Sequence, residues 1–255
     1  MSQLMTVLAL DFDGVICDSA EEVLETALGA WSEISADSLL QNEVESRPEC
    51  RAAFEGLVPL GNRAEDFGVA LHILENNLDV NTQREYDRIR NALGPEWLDR
   101  FHHLFYRTRN RLRTEDPKGW LSLHTTYPAF IEVLERHQHS TTLAVATAKD
   151  ADSVRLLLTH FGIDRLFRDE LILDKETGIV KTAHLKNLAD RVGCELDRIT
   201  FVDDKHNHLQ ATASLGVRGV LAGWGHNTTR EHEAAREAGF AVATLETAEA
   251  VLFGD

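Results

Sequence analysis

The sequence predicts an α/β protein, a parallel sheet flanked by helices and interrupted near its start by a large all-helical insertion. Three observations carry that prediction. Short apolar runs alternate with amphipathic helical segments through the second half of the chain, the pattern of a parallel sheet. About 130 residues of helical character separate the first apolar run from the second, far too many for a crossover connection, so they must fold as a module of their own. The first run, residues 6–10, stops at two carboxylates, Asp11 and Asp13, with Gly14 straight after. A strand ending in such a turn presents its last side chains at the carboxyl edge of the sheet, where open parallel sheets take their ligands.

The strands of the core are expected at 6–10, 142–146, 170–173, 199–202, 219–222 and 241–244. The insertion opens at Asp18 and Ser19, where Ser19 and Glu22 have the spacing of a capping box. Val23, Leu24, Ala27, Leu28 and Trp31 then recur at helical spacing, a packing face. Further helices are expected at 64–78, 82–93 and 96–113, with 46–61 read as a loop. Asp116, Pro117, Lys118 and Gly119 mark a hinge or turn. Tyr127 and Pro128 begin the helix that returns to the core. This places the core at 1–17 and 118–255 and the helical module at 18–117.

Length and composition narrow the function. A chain of 255 residues holds one large domain, or a core with a smaller lid. Its net charge of -16 argues against a nucleic acid partner, which calls for basic surface. The first apolar run lacks a basic leader, and no uncharged stretch approaches the ~18 apolar residues of a membrane span. A cytoplasmic protein with no membrane partner, monomeric or homodimeric, is expected. The three cysteines, Cys17, Cys50 and Cys194, are too scattered for a disulfide framework or a zinc site, and Cys17 reads as a small buried hydrophobe.

The chemistry resides at the strand ends. Two carboxylates one residue apart, Asp11 and Asp13, can share a hard cation that leaves room for a phosphate. Thr147 closes the second apolar run, so its hydroxyl can meet a phosphate oxygen or satisfy its own turn. Lys149 nearby reads as a surface residue. Lys181 precedes a further acidic strand end by one helix length, with Lys175 and Lys186 as rivals for the same role. Asp203 and Asp204 close that strand, and two adjacent buried like charges call for a cation.

The order Asp11/Asp13, Thr147, Lys181, Asp203/Asp204, with the phrase Asp-Phe-Asp-Gly-Val-Ile-Cys-Asp-Ser, resembles the haloacid dehalogenase-like superfamily over residues 5–227. Within it the chain is most similar to the phosphoglycolate phosphatase and β-phosphoglucomutase branch, which carries a helical cap on a Rossmann-like core. The resemblance implies that Asp11 attacks phosphorus and becomes an aspartyl phosphate, while Asp13 protonates the leaving oxygen and then activates water. It implies Mg2+ held by Asp11, the backbone carbonyl of Asp13 and Asp204, with Asp203 holding a metal-bound water. Thr147 would donate to the phosphate, and Lys181 would cancel charge on the phosphate and on Asp11. The implied reaction is hydrolysis of a small phosphorylated metabolite, with a phosphomutase and a non-catalytic phosphometabolite-binding protein as alternatives.

The chain departs from the family in two places. The usual Lys-Pro is Lys181-Thr182, and a further aspartate four residues after Asp204 is His208, with Asn207 beside it as a partner for a metal water. Trp224, between Gly223 and Gly225, reads as packing. Arg47, Arg51, Arg107 and Arg111 read as solvated faces or, alternatively, as partners for an anionic substrate. His102, His103, His137 and His139 have no partner set for zinc and read as surface residues.

Overall fold

The computed structural model describes residues 6–254 except Asn62 and Ile179. Its chain forms two compact units. One comprises the residues up to Asp18 together with those from Thr125 onward; the other is Ser19–His124.

The first unit is built on strands β1 (Thr6–Leu10), β2 (Cys17–Asp18), β3 (Thr125–Thr126), β4 (Thr141–Ala146), β5 (Ile172–Leu173), β6 (Ile199–Asp203), β7 (Arg218–Ala222) and β8 (Ala241–Ala243). Six of them form one parallel sheet in the order β5-β4-β1-β6-β7-β8. Val7, Leu8, Ala9 and Leu10 are all buried because β1 is central and covered on both faces, which is why the run is continuously apolar rather than alternating. Leu10 lies beside Val145 of β4 and Val202 of β6, so the residues that follow all three strands emerge at one edge.

Expected and observed strands agree except at the ends. Residues 169–171 form a 3-10 turn, leaving only Ile172 and Leu173 to pair with β4. The antiparallel pair of β2 and β3, where the chain leaves this unit and returns to it, is too short to leave a periodic signal. One face of the sheet is covered by Leu185, Leu188 and Leu209 packed on Ala9, Ala144 and Phe201.

The second unit is all helical, with helices Ala20–Trp31, Leu40–Ser46, Pro48–Leu57, Ala64–Glu75, Gln83–Leu93, Pro95–Glu115 and Pro117–Ser122. Its core gathers Trp31, Phe54, Val69, Leu71, Tyr86, Phe101 and Phe105. Gly68 is required there, since a Cβ would stand 2.5 Å from the Phe101 ring. The loop expected at 46–61 is instead the helix Pro48–Leu57 with a 3-10 turn after it; Pro48 supplies the first-turn residue, and Phe54 and Leu57 face the core.

The capping box expected at Ser19 and Glu22 does not form, for Ser19 makes no side-chain cap. Glu22 is wholly buried and takes a two-pronged contact from Arg109, with both N–O distances 2.7 Å. Thr26 (2.9 Å) and the Trp120 indole N–H (3.4 Å) also donate to it. This network explains why the division falls at 124/125 rather than at 117/118. Asp116 caps the helix Pro117–Ser122 through the Gly119 N–H (2.9 Å), and Trp120 is buried among helical-unit residues. Among the described residues no helix is long and apolar enough to cross a membrane.

Candidate active site

The carboxyl edge of the sheet gathers most of the polar residues that the sequence singled out. Asp11 leaves the end of β1, and its Oδ1 accepts the Phe12 N–H (2.7 Å). The chain then doubles back, with the Ile16 and Cys17 N–H groups donating to the Phe12 carbonyl at 3.0 and 2.9 Å. Gly14 makes that turn at φ +80°, and a Cβ on it would overlap the Asp204 carboxylate. The glycine therefore serves both the turn and the close approach of an acid from another strand.

Lys181 is the centre of the buried cluster. It starts the helix Lys181–Val192, and its Nζ lies 2.8 Å from Asp11 Oδ1, 3.1 Å from Asp203 Oδ2 and 2.7 Å from the Ala146 carbonyl. Its rivals Lys175 and Lys186 are both exposed. Asp203 is completely buried at the end of β6; its Oδ1 accepts the Lys205 N–H (2.8 Å), and both its oxygens stand 3.1 Å from His208 Nδ1. Asp204 Oδ2 accepts the His226 N–H (2.8 Å). Asn227 ties the backbone of this loop to β7 by donating to the Asp204 and Ala222 carbonyls at 3.0 and 2.8 Å, and His232 steadies its amide oxygen at 2.6 Å.

These contacts do not balance the charge. Burial, opposed by the Lys181 ammonium and reinforced by Asp203 and Asp204, pushes the Asp11 carboxyl up to about 6. Burial also raises Asp204, against the nearby charges of Lys205 and His226. Asp203 is the exception: burial acts to raise it, but His208 and Lys181 hold it well below the usual carboxylate range. Burial likewise acts to lower Lys181, and Asp11 and Asp203 overcome that and keep it above an ordinary lysine. His226 is raised because its hydrogen bond to Asp18 (3.3 Å) and the charge of Asp204 outweigh its burial.

Asp13 stands apart from this cluster. Its side chain is half-buried and pairs with Lys149, whose Nζ is 2.9 and 3.3 Å from the two carboxylate oxygens. The expectation that Lys149 lies on the surface is therefore wrong, since its side chain is only 3 % exposed. The signal was present: two residues after a strand-terminal threonine, a side chain still belongs to the same edge. Thr147 is buried at the end of β4, with its N–H on the Leu173 carbonyl (2.9 Å) and its hydroxyl accepting the Lys149 N–H (3.2 Å). It closes its own turn while sitting at the site.

Asp11, Asp203 and His208 each present a donor atom, and the three atoms lie within 4.8 Å of one another. Neither Asp13 nor Asp204 belongs to that group, although Asp204 is close enough for its charge to act on Asp11. Two buried carboxylates and an imidazole this close together fit a divalent cation. The sequence alone marks His208 only as a lost aspartate. Asn207 is exposed, and Trp224 packs on Phe130 (4.7 Å between centroids) and donates to the Val15 carbonyl (3.2 Å). Arg47, Arg51 and Arg107 pair with the neighbouring acids Glu43, Glu21, Glu55 and Glu33.

A central parallel strand that delivers Asp11 to a lysine and a second buried acid at one sheet edge places the chain in the Rossmann-like α/β class. Residues 5–216 match the haloacid dehalogenase-like hydrolases, and the chain belongs to that family. No curated protein matches the sequence. Among solved structures, a haloacid dehalogenase-like family protein of Streptococcus pneumoniae is similar over 100% of both chains at 12% identity and a TM-score of 0.66. A protein of Haemophilus somnus described as a predicted phosphoglycolate phosphatase is similar over 99% of this chain and 98% of its own, at 19% identity and a TM-score of 0.65. A family hydrolase of Deinococcus radiodurans with bound phosphate and sodium covers 98% and 96%, at 16% identity and a TM-score of 0.58. At these identities the three share its fold.

Proposed function

We propose that this chain is a divalent-cation-dependent phosphatase of small phosphorylated metabolites, Mg2+ being the ion its family resemblance implies. The reading rests on one observation above all. Asp11, at the edge where such sheets bind ligands, is buried with its carboxylate 2.8 Å from the Lys181 ammonium and close to two further buried acids, Asp203 and Asp204. Asp11 Oδ attacks phosphorus and carries the phosphoryl group as an acyl phosphate, and the leaving alkoxide takes a proton from Asp13. Asp13 then removes a proton from the water that releases phosphate. Lys149, with its Nζ 2.9 Å from Asp13 Oδ1, orients the ionised carboxylate that takes the proton from water. Lys181 keeps Asp11 in the attacking orientation and offsets the charge of the incoming phosphate. The Thr147 hydroxyl donates to a phosphate oxygen. Asp11, Asp204 and the Asp13 backbone carbonyl, with Asp203 through a bound water, would hold a divalent cation, which would supply positive charge against the repulsion between carboxylate and phosphate. The family resemblance implies that the helical unit is the part of the chain that selects the substrate.

The test is p-nitrophenyl phosphate hydrolysis by wild-type protein and D11N, with and without Mg2+. Hydrolysis that needs the cation and vanishes in folded D11N supports the reading; equal rates in the two proteins overturn it.

A further inference from the structure

We infer that His208 supplies a nitrogen ligand to the cation of this site, so that the chain prefers a first-row transition ion such as Mn2+ or Co2+ to Mg2+. The inference rests on the phosphatase reading insofar as that reading places a cation beside Asp11. What it adds is the identity of a ligand and the class of ion.

The geometry points this way because of where the imidazole is held. His208 lies in the helix His206–Thr212, which begins directly after β6, and its N–H bonds back to the Lys205 carbonyl (3.1 Å). The Lys205 N–H is fixed in turn on Asp203 Oδ1 (2.8 Å). These two linked contacts set the ring against Asp203, and Nδ1 stands 3.1 Å from both of its oxygens. Ligands about 2.1 Å from one ion lie roughly 3 Å apart when adjacent, so this spacing suits two neighbours in one coordination shell. Asp11 completes a set of three donors within 4.8 Å of one another. Lys181 and the Phe12 N–H both occupy Asp11 Oδ1, so Oδ2 is the atom that Asp11 can offer.

The chemistry gives the preference its direction. Carboxylate and carbonyl oxygens suit Mg2+ and also Mn2+, whereas an added imidazole nitrogen disfavours Mg2+ and favours the first-row ions in the rising order Mn2+ to Co2+. With no ion bound, Nδ1–H donates to Asp203; as a ligand Nδ1 turns its lone pair to the ion, and the proton resides on Nε2. The ring is 26% exposed, so one side of it remains open to water for that exchange. The competing role is a plain hydrogen-bond donor to Asp203, with every ligand an oxygen. The two roles make different predictions.

The experiment uses the full chain stripped of metal with a chelator. Calorimetric titration with Mg2+, Mn2+ and Co2+ is run on wild-type protein and on H208D, and the Mn2+ complexes are examined by electron spin-echo modulation for directly bonded 14N. The expected result is an affinity order Co2+ > Mn2+ > Mg2+ and a histidine 14N signal in wild type. In H208D that signal disappears and the Mn2+ to Mg2+ affinity ratio falls about 10- to 100-fold. Oxygen-only coordination in wild type, or an unchanged ratio in folded H208D, overturns the inference while leaving a cation-dependent phosphatase intact. Binding of none of the three ions overturns both. If H208D does not fold, the wild-type 14N signal decides alone.

Discussion

Each unit of the molecule buries charge, and it does so in opposite ways. In the helical unit Glu22 is fully buried, yet Arg109 meets both of its oxygens, and Thr26 and Trp120 add donors. In the sheet unit Asp11 and Asp203 are buried against Lys181 with Asp204 buried nearby, and burial, reinforced by the two other acids, leaves Asp11 at about 6. A buried charge with its partners matched holds helices together. A buried charge left in surplus is costly to the fold and is kept where it acts on a ligand.

The sharpest test of this contrast is D11N. Removing the proposed nucleophile is expected to lower phosphate release by roughly 10^4-fold or more, measured with p-nitrophenyl phosphate. The same substitution relieves like-charge crowding, so metal-free D11N should melt several degrees above wild type at pH 8. In the helical unit the expected effect is reversed. E22Q leaves Arg109 without its carboxylate and should destabilise by about 3 kcal/mol in urea unfolding, the low end for a broken buried pair because Arg109 is 16 % exposed. Pairing E22Q with R109M should recover much of that loss.

The pH dependence of the metal-free protein separates the two regions further. Asp11 and Asp204 are both raised in the folded state, so what they contribute is present below about pH 4 and is lost as pH climbs through about 6 for Asp11. Asp203 is depressed and acts in the opposite sense, its contribution lost on acidification. Added divalent cation should therefore raise the melting temperature more at pH 8 than at pH 5 in wild type, and the difference should shrink in D11N. The smallest expected effect is that of K149M, which removes the ammonium 2.9 Å from Asp13 Oδ1. Its kcat should fall about 10- to 100-fold with little change in melting temperature.

Much of the architecture was legible because its signals are local. An apolar run stopped by Asp11 is a central parallel strand, and the same pattern ended β4 at Ala146 and β6 at Asp203. Lys181 could be ranked over Lys175 and Lys186 by its distance from the acidic strand end, and it is the one that reaches Asp11. The helix Pro48–Leu57 was missed because only Phe54 and Leu57 mark its buried face, too few for a period to show.

What the sequence by itself determined is the class of the fold and which acidic strand ends share an edge, since hydrophobic periodicity and chain order are written residue by residue. Only the tertiary structure decided the partners. Glu22 reads as a capping residue until Arg109, far along the chain, folds onto it. Lys149 reads as surface until Asp13 lies 2.9 Å away. His208 reads as a lost aspartate until its ring stands against Asp203. The physical reason is common to all three: a charged group's role is set by the charges within a few ångströms of it, and those come from segments that only folding brings together.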